Sequence, residues 1–278
     1  MKNFLLAALL FTGFTSFGQY YYKDIIGTKE ISDLIATYRT NKVRSVIVNS
    51  YDGSNVRVQD FSIQQQFSPT TLSLTTVSKS ATSDPSVLTS FVDATGKLVR
   101  TVDSSSIVVS KSTYQYDDDG KLISLTVSSI DTSKKFLESE QHIWQYKGNR
   151  IDKMLRVKNK VDTAVVEFKF DDNGNIVEEV PLRKGIKSEP VYYYYDESNR
   201  LTDIVRFNNK AKRLLPEYMF EYSPANQVIQ RITVPASGSD YIIWRSQYDQ
   251  RGLKTKEAIY NKYKELTGKI EYQYSFGS

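Results

Sequence analysis

The sequence predicts an all-β protein, an up-and-down antiparallel meander of about sixteen strands that curves strongly or closes into a barrel, with one short N-terminal helix. Three observations predict it. A hairpin motif recurs over residues 91–274, apolar and polar residues alternate between its copies, and one amphipathic segment precedes them. Closure is expected because open strand edges attract other chains.

Each copy of the motif spans nine positions: an aromatic residue, any residue, a Tyr or Phe, usually an Asp, two polar residues, a Gly or Asn, any residue, and an aliphatic residue. Clear copies begin at Tyr114, Phe168, Tyr193 and Phe220. Gly or Asn fits the last position of a three-residue loop, which needs a positive φ. Such a loop places Tyr116 opposite Leu122 on one face of the hairpin. A shorter copy at residues 146–151 keeps this pairing with a two-residue loop.

Residues 1–18 contain Lys2, an apolar run at residues 4–11 and a Ser-Phe-Gly ending, which predicts a secretory signal cleaved before Gln19. The apolar run is too short to span a bilayer. The chain has no Cys, which excludes a lipoprotein anchor, disulfides and thiol chemistry. We therefore expect an exported protein of the periplasm or the cell surface.

Residues 19–59 form the N-terminal helix and first strands, and residues 60–278 form the repeat region of the same domain. Thr28 is the expected N-cap of a helix that ends near Asn41. Its apolar stripe consists of Ile31, Leu34, Ile35 and Tyr38. We expect this helix to cover one open end of the barrel. Residues 43–50, 56–67 and 70–78 are expected strands, and the Ser/Thr-rich residues 78–86 a long loop.

The chain carries 37 Lys and Arg against 32 Asp and Glu, and these charges are interspersed. No stretch forms a basic stripe with spaced aromatic residues, so we expect no nucleic-acid partner.

Alternation predicts one apolar face and one polar face on the repeat strands. A polar residue follows the aliphatic position by two residues in consecutive copies: Ser124, Lys153, Glu178, Asp203 and Gln230. Alternation assigns all five to the inner face, where Lys153, Glu178 and Asp203 would form a ladder in a hydrated lumen. Glu178 and Asp203 would also be the carboxylate pair of a glycan-processing hydrolase.

Few residues suggest other chemistry. The single histidine, His142, lies beside Trp144 on one strand, and we expect the two to line the barrel or its rim as candidate binding residues. One histidine does not make a metal site, and the Asp-rich turns at residues 117–120 and 171–174 are expected to be turn formers rather than calcium loops. We predict no catalytic residue, no metal and no cofactor.

The four consecutive tyrosines at residues 192–195 are the densest aromatic run of the chain. Alternation points Tyr193 and Tyr195 inward and Tyr192 and Tyr194 outward. The outward pair could supply stacking surfaces for a sugar, which makes these two residues further binding candidates.

The Tyr-Asp-x-x-Gly-x-Leu core at residues 116–122 resembles the YD or RHS repeat of bacterial secreted and surface proteins. It also resembles uncharacterised secreted proteins of the Bacteroidetes with porin-like β-meander folds. The resemblance covers residues 91–274, implies the fold and supplies no catalytic residue. The sequence therefore predicts an exported, non-enzymatic scaffold or binding protein of the cell envelope, with a glycan or an envelope protein as partner. An outer-membrane barrel and a hydrolase with inner carboxylates are the alternatives.

Overall fold

The computed structural model describes residues 18–105, 107–131, 136–235 and 240–277. Residues 1–17, which hold most of the predicted signal, lie outside the described residues. The described chain forms one antiparallel sheet of nineteen strands, which closes into an 18-strand barrel, with a short helical segment at its N-terminal end. The predicted fold class is confirmed.

The helical segment consists of π-helical turns at Tyr21–Ile26 and helix α1 at Gly27–Thr40. The strands are β1 Val43–Asp52, β2 Phe61–Ser68, β3 Ser73–Ser80, β4 Ser83–Val92, β5 Leu98–Ser104, β6 Val108–Tyr116, β7 Leu122–Asp131, β8 Phe136–Lys147, β9 Arg150–Lys158, β10 Asp162–Phe170, β11 Ile176–Arg183, β12 Ile186–Lys187, β13 Val191–Tyr195, β14 Leu201–Asn208, β15 Arg213–Tyr222, β16 Val228–Thr233, β17 Ile242–Tyr248, β18 Lys254–Tyr260 and β19 Leu266–Phe276.

Strands that follow one another in the chain are neighbours in the sheet, and the first strand closes the ring with the last. Val46 of β1 lies opposite Gln65 of β2 on one side and Tyr274 of β19 on the other. The two-residue strand β12 pairs with one end of β11. Because β11 also pairs with β13, which continues the ring, β12 is not counted among the 18 strands of the barrel.

The predicted long loop at residues 78–86 is wrong. β3 continues to Ser80 and β4 begins at Ser83, so a tight turn joins them. Ser80 and Ser83 hold this turn through their hydroxyl groups, which lie 2.7 Å apart. Pro85 is tolerated because the register shifts beside it, where its missing N–H is not needed.

A β-bulge follows the Asp-containing turns. Tyr116 lies opposite Leu122 as predicted, but Gln115 lies opposite Ser124, so Ile123 is an extra residue in its strand. The same shift follows the pairs Tyr146 with Ile151, Phe170 with Ile176, Tyr195 with Leu201 and Tyr222 with Val228. Each bulge exchanges the two faces for the rest of its strand, which simple alternation cannot show.

Two recurring side chains stabilise the hairpins, an Asp that closes the turn and a tyrosine that bonds the preceding hairpin. The Asp117 carboxylate accepts the Lys121 N–H at 2.8 Å, and Asp171 accepts the Asn175 N–H at 2.8 Å, so both act as turn formers. The motif tyrosine donates its hydroxyl to a main-chain carbonyl of the preceding hairpin at 2.7–3.0 Å. These bonds join Tyr116 to Leu98, Tyr146 to Leu122, Tyr195 to Ile176, Tyr222 to Leu201, Tyr248 to Val228 and Tyr274 to Lys254.

Residues 18–40, which we call the inner segment, pack against the inner face of the barrel and end at the rim that carries the Asp-containing turns. The helical turns begin near Tyr21, so Thr28 is not the N-cap that the sequence predicted. The wall supplies the cap instead, because the Glu179 carboxylate accepts the N–H groups of Tyr20 and Tyr21 at 3.0 and 2.9 Å. The predicted end near Asn41 is confirmed.

The predicted apolar stripe of α1 is only partly buried. Ile35 and Tyr38 are buried among Val43, Val46 and other inward residues of the wall, whereas Leu34 remains 39% exposed. Within the described ranges, no helix combines the length and hydrophobicity that crossing a membrane requires.

Candidate functional site

A buried network of charged groups surrounds His142 on the inner face of β8. Its Nδ1 lies 2.6 Å from the Asp24 carboxylate of the inner segment, and its Nε2 lies 2.9 Å from Glu140. Arg156 of β9 pairs with the other Glu140 oxygen at 2.8 Å. Trp144 donates its indole N–H to Asp24 at 3.2 Å. The network therefore ties the inner segment to the wall.

The pKa values of His142 and Glu140 indicate the charge that each carries in this network. Burial alone would lower the pKa of His142, but the charges and hydrogen bonds of Asp24 and Glu140 raise it to about 9. Burial would raise the pKa of Glu140, but hydrogen bonds from His142 and Arg156 lower it to about 2. His142 is thus a cation between two carboxylates at neutral pH. Both ring nitrogens are engaged, so neither is free to act as a general base.

Glu179 makes a second anchor for the inner segment. Its side chain is fully buried and accepts the Tyr193 hydroxyl at 2.8 Å in addition to the two N–H groups of the inner segment. Burial raises the pKa of Glu179 above its usual value, and these three hydrogen bonds oppose that rise only in part. Gln19 donates its amide to Glu217 nearby.

The structure places His142 and Trp144 inside the barrel, as expected, but both are buried against the inner segment, at 4% and 2% exposure. Trp144 also stacks on Phe168, with ring centroids 5.5 Å apart. Their contacts are with the protein itself. The described residues contain no group of three or more His, Asp or Glu arranged to hold a metal ion.

A cavity of about 770 Å³ opens between the inner segment and four consecutive hairpin turns, and we call it the mouth cavity. Its lining includes Tyr21, Asp24, Ile25, Thr28, Lys29 and Ser32 from the inner segment and Lys97, Tyr116, Gly120, Lys121, Leu122, Tyr146, Lys147, Asn149, Arg150, Ile151, Phe170, Gly174, Asn175 and Ile176 from the wall. Five of these residues are cationic at neutral pH and one, Asp24, is acidic.

Three of the five cations have a carboxylate partner: Lys29 pairs with Asp33 at 2.5 Å, Lys121 with Asp119 at 3.0 Å and Lys147 with Asp152 at 2.8 Å. Lys97 and Arg150 have no ion pair within the described part of the chain. They lie over aromatic rings instead, Lys97 at 5.3 Å from the centre of Tyr116 and Arg150 at 3.6 Å from that of Phe170.

The mouth cavity lies where the row of tyrosine hydroxyl bonds is interrupted. The motif position that follows Tyr146 is Phe170, which has no hydroxyl to donate to the carbonyl of Ile151. Both residues line the cavity. The sequence held a signal for this site that residue-by-residue reasoning missed, because the residue before the aliphatic position is cationic in three successive copies, Lys97, Lys121 and Arg150.

The predicted inner ladder is wrong. Lys153, Glu178 and Asp203 lie opposite Gln145, Lys169 and Tyr194, on the outer face of the barrel. Glu178 pairs there with Lys169 at 2.8 Å. Ser124 and Gln230 lie opposite Gln115 and Glu221 on the same outer face. The bulge after each turn is the physical reason, since the extra residue moves the second residue after the aliphatic position outward.

The predicted directions of the tyrosine run agree with the structure. Tyr193 is 1% exposed and packs inside, whereas Tyr194 is 49% exposed on the outer face. Tyr192 lies opposite Val205 and Glu178 on that face. Tyr192 and Tyr194 thus stand apart from the mouth cavity, and their role in binding stays a prediction.

No protein-family model matches the sequence, and no curated protein matches it. The solved structures that match include the following three. A complex of TcdB2, TccC3 and Cdc42 is 14% identical, covers 78% of this chain and 12% of that chain, and has a TM-score of 0.34. The Photorhabdus luminescens Tc holotoxin pore is 13% identical, with the same coverage and TM-score. A porin-like protein from Bacteroides uniformis is 10% identical over 84% of this chain and 98% of that chain, with a TM-score of 0.39.

The chain spans only 12% of the length of the two toxin chains that it matches. Identities and TM-scores this low carry no argument about function. The residues of this barrel are therefore the basis for a functional proposal.

Proposed function

We propose that this chain is an exported, non-enzymatic binding protein of the cell envelope, a β-barrel that takes a small ligand into the mouth cavity. One observation carries the proposal, the space of about 770 Å³ between the inner segment and four hairpin turns. Sites for small ligands have volumes of roughly 300–1,000 Å³. The signal-like residues 1–18 and the YD-like or RHS-like repeat support export.

The inner segment favours a binding protein over a pore, because it contacts opposite parts of the wall. Tyr38 donates its hydroxyl to Gln65 of β2 at 2.7 Å. Tyr21 packs edge-on against Tyr193 of β13, with ring centroids 5.4 Å apart. A segment that bridges the lumen in this way obstructs a channel through it.

The charged and polar residues of the outer face support a barrel whose wall faces water. Lys169 and Glu178 form a cross-strand ion pair there, and Lys153 lies opposite Glu167 on the neighbouring strands. A Lys or Arg that faces lipid at mid-depth costs about 2–4 kcal/mol. On the other side of the barrel β2 exposes Gln66. These outward groups favour a water-soluble barrel over the outer-membrane alternative.

The inner carboxylates support binding rather than turnover. Asp24 and Glu140 are paired with His142, and Glu179 accepts three hydrogen bonds. The hydrolase alternative required Glu178 and Asp203 inside the barrel, and both lie outside. Carboxylates that are fully engaged with the protein are poorly placed to exchange protons with a bound substrate.

The test is to express the full chain in a bacterium, fractionate the cells and screen small molecules by thermal unfolding of the purified protein. Three proteins are compared: the wild type, Asn149→Trp, whose exposed side chain lines the mouth cavity, and Asn173→Trp, an exposed turn position outside the lining. We expect soluble protein. We expect ligands to raise the Tm of the wild type and Asn173→Trp, and to raise that of Asn149→Trp much less.

Recovery from membranes alone, with ion conductance in a planar bilayer, would replace the proposal with an outer-membrane barrel. Ligands that stabilise all three proteins equally would show that binding occurs elsewhere. Chemical turnover of a ligand would show that the protein is an enzyme.

A further inference from the structure

The chemistry of the mouth cavity narrows the class of ligand. Lys97 and Arg150 lack a carboxylate partner in the described ranges, and the other three cations of the lining are paired with single carboxylates near the surface. The one acidic side chain of the lining, Asp24, is already bound to His142 and Trp144. A ligand in this space meets uncompensated positive charge, which favours an anion.

A cation lies over one face of three of the four aromatic rings of the lining, and the fourth ring, that of Tyr21, packs edge-on against Tyr193. The Nζ atoms of Lys97 and Lys121 lie 5.3 and 5.7 Å from the ring centres of Tyr116 and Tyr146, and the Arg150 guanidinium lies 3.6 Å from that of Phe170. A nucleobase or another flat aromatic ligand would need a free ring face on which to stack. The cavity therefore favours an anion whose body is not aromatic.

The remaining lining is suited to hydroxyl groups. Thr28 contributes a hydroxyl from the inner segment and Asn149 a side-chain amide from one turn, while Asn175, whose NH₂ group donates to Asp171 and Asn199, contributes its side-chain carbonyl oxygen. Such groups donate and accept hydrogen bonds, as a sugar requires. The aliphatic residues Leu122 and Ile151 supply apolar contact for the C–H groups of a sugar.

Building on the proposed function, we infer that the mouth cavity binds an acidic saccharide, a short oligosaccharide of sugars that carry carboxylate groups. Lys97, Lys121 and Arg150 occupy the same motif position in successive hairpins. Equivalent residues of neighbouring hairpins are two strands apart, or about 10 Å along the rim. Carboxylates on alternate sugars of one chain have about this spacing, so a trisaccharide can meet two of these cations at once and binds more tightly than a monosaccharide.

Isothermal titration calorimetry with the full-length protein tests the inference. The probes are galacturonic acid, trigalacturonic acid, the neutral galactotriose and inorganic phosphate. Trigalacturonic acid is expected to bind at least about tenfold more tightly than galacturonic acid or galactotriose, with an affinity that falls as salt screens the charges.

Variants locate the binding. Lys97→Gln and Arg150→Gln are expected to weaken the binding of trigalacturonic acid about tenfold each. Arg200→Gln is the matched control, because Arg200 occupies the same motif position and lies over Tyr222, but is outside the cavity lining and pairs with Asp196. This variant is expected to bind as the wild type does. Thermal unfolding of each variant confirms that it folds.

Each of the following results would overturn the inference. Galactotriose that binds as tightly as trigalacturonic acid would show that the carboxylates are not recognised. Inorganic phosphate that competes at equal affinity would indicate a general anion site. An equal loss of affinity for trigalacturonic acid in Arg200→Gln would show that the saccharide does not bind in the mouth cavity. If small molecules from the thermal-unfolding screen bind the wild type but not Asn149→Trp, and trigalacturonic acid does not bind, the proposed function stands and the inference of an acidic saccharide is wrong. If no probe of any kind depends on Asn149, both fail.

Discussion

The two halves of the inner segment are held to the same barrel by different forces. Residues 18–26 combine aromatic packing with buried charged and polar contacts, whereas residues 27–40 are held mainly by apolar packing. The first half depends on Asp24 and on the two N–H groups that Glu179 accepts. The second depends on Ile35 and Tyr38, which are buried at 1% and 2% exposure.

The two kinds of contact differ in how exactly they position the inner segment. Apolar packing depends on area and tolerates small changes of position, whereas a buried ion pair requires its partners at fixed distances. Asp24 reaches across 118 residues of chain to His142. The charged half thus determines where the segment sits, and the apolar half adds stability once it is there.

The largest effect is expected from breaking the charged half. Asp24→Asn leaves the buried His142 cation without its closest partner, and such a loss typically costs about 3–5 kcal/mol. The free energy of unfolding, measured with urea, should fall by that amount. Asp33→Asn is the matched control, because Asp33 is exposed and pairs only with Lys29 at the surface. Equal effects of the two substitutions would mean that the network contributes no more than a surface pair.

Ile35→Ala weakens the apolar packing of residues 27–40. The side chain is 1% exposed, and a buried Ile replaced by Ala costs about 2–5 kcal/mol through lost transfer energy and the cavity left behind. Leu34→Ala, at a site that is 39% exposed, should cost well under half of that. The same urea denaturation measures both. A Leu34 effect as large as that of Ile35 would contradict the burial of the helix described here.

These two halves also differ in how well the sequence predicts them. The apolar stripe with Ile35 and Tyr38 is visible in the sequence because helical spacing brings its members together. The contacts of Asp24 and Glu179 are not, since each joins residues more than a hundred positions apart. In the wall, the sequence predicted the pair of Tyr116 with Leu122, which a turn determines locally.

The face of each following strand escaped prediction. A single bulged residue such as Ile123 reverses the alternation that assigned Lys153, Glu178 and Asp203 to the lumen. The mouth cavity was missed for a related reason, because four hairpins form it together and no single copy of the motif shows it.

The charged half should also make stability depend on pH. The pKa of His142 is raised from 6.5 to about 9, so its contribution is complete below pH 6.5 and is lost as the pH rises through 9. The pKa of Glu140 is lowered to about 2, so its contribution is complete above pH 4.5 and is lost as the pH falls toward 2. Between pH 6.5 and 9 the free energy of unfolding should fall by about 2–3 kcal/mol, at about 1.4 kcal/mol per pKa unit.

His142→Gln is the control for this profile, because it removes the titrating group from the network. The variant should be less stable at pH 6 and should lose little further stability up to pH 9. Ile35→Ala should keep the slope of the wild type. A wild-type profile that is flat between pH 6.5 and 9 would show that His142 is not held as a cation.

The smallest expected effects compare two hydroxyl groups, that of Tyr193 in the wall, which bonds the carboxylate that anchors residues 18–26, and that of Tyr38 in residues 27–40. Tyr193 donates to the buried Glu179 carboxylate at 2.8 Å, and Tyr38 donates to the neutral Gln65 amide oxygen at 2.7 Å. A hydrogen bond to a charged group contributes about 1.5–3 kcal/mol, and one between neutral groups about 0.5–1.5 kcal/mol. Tyr193→Phe should therefore cost more than Tyr38→Phe in urea denaturation, although both remove one oxygen from a buried ring. The reverse order would mean that Glu179 is protonated in the folded protein, and of the two carboxylates that anchor residues 18–26 only Asp24 would then be charged.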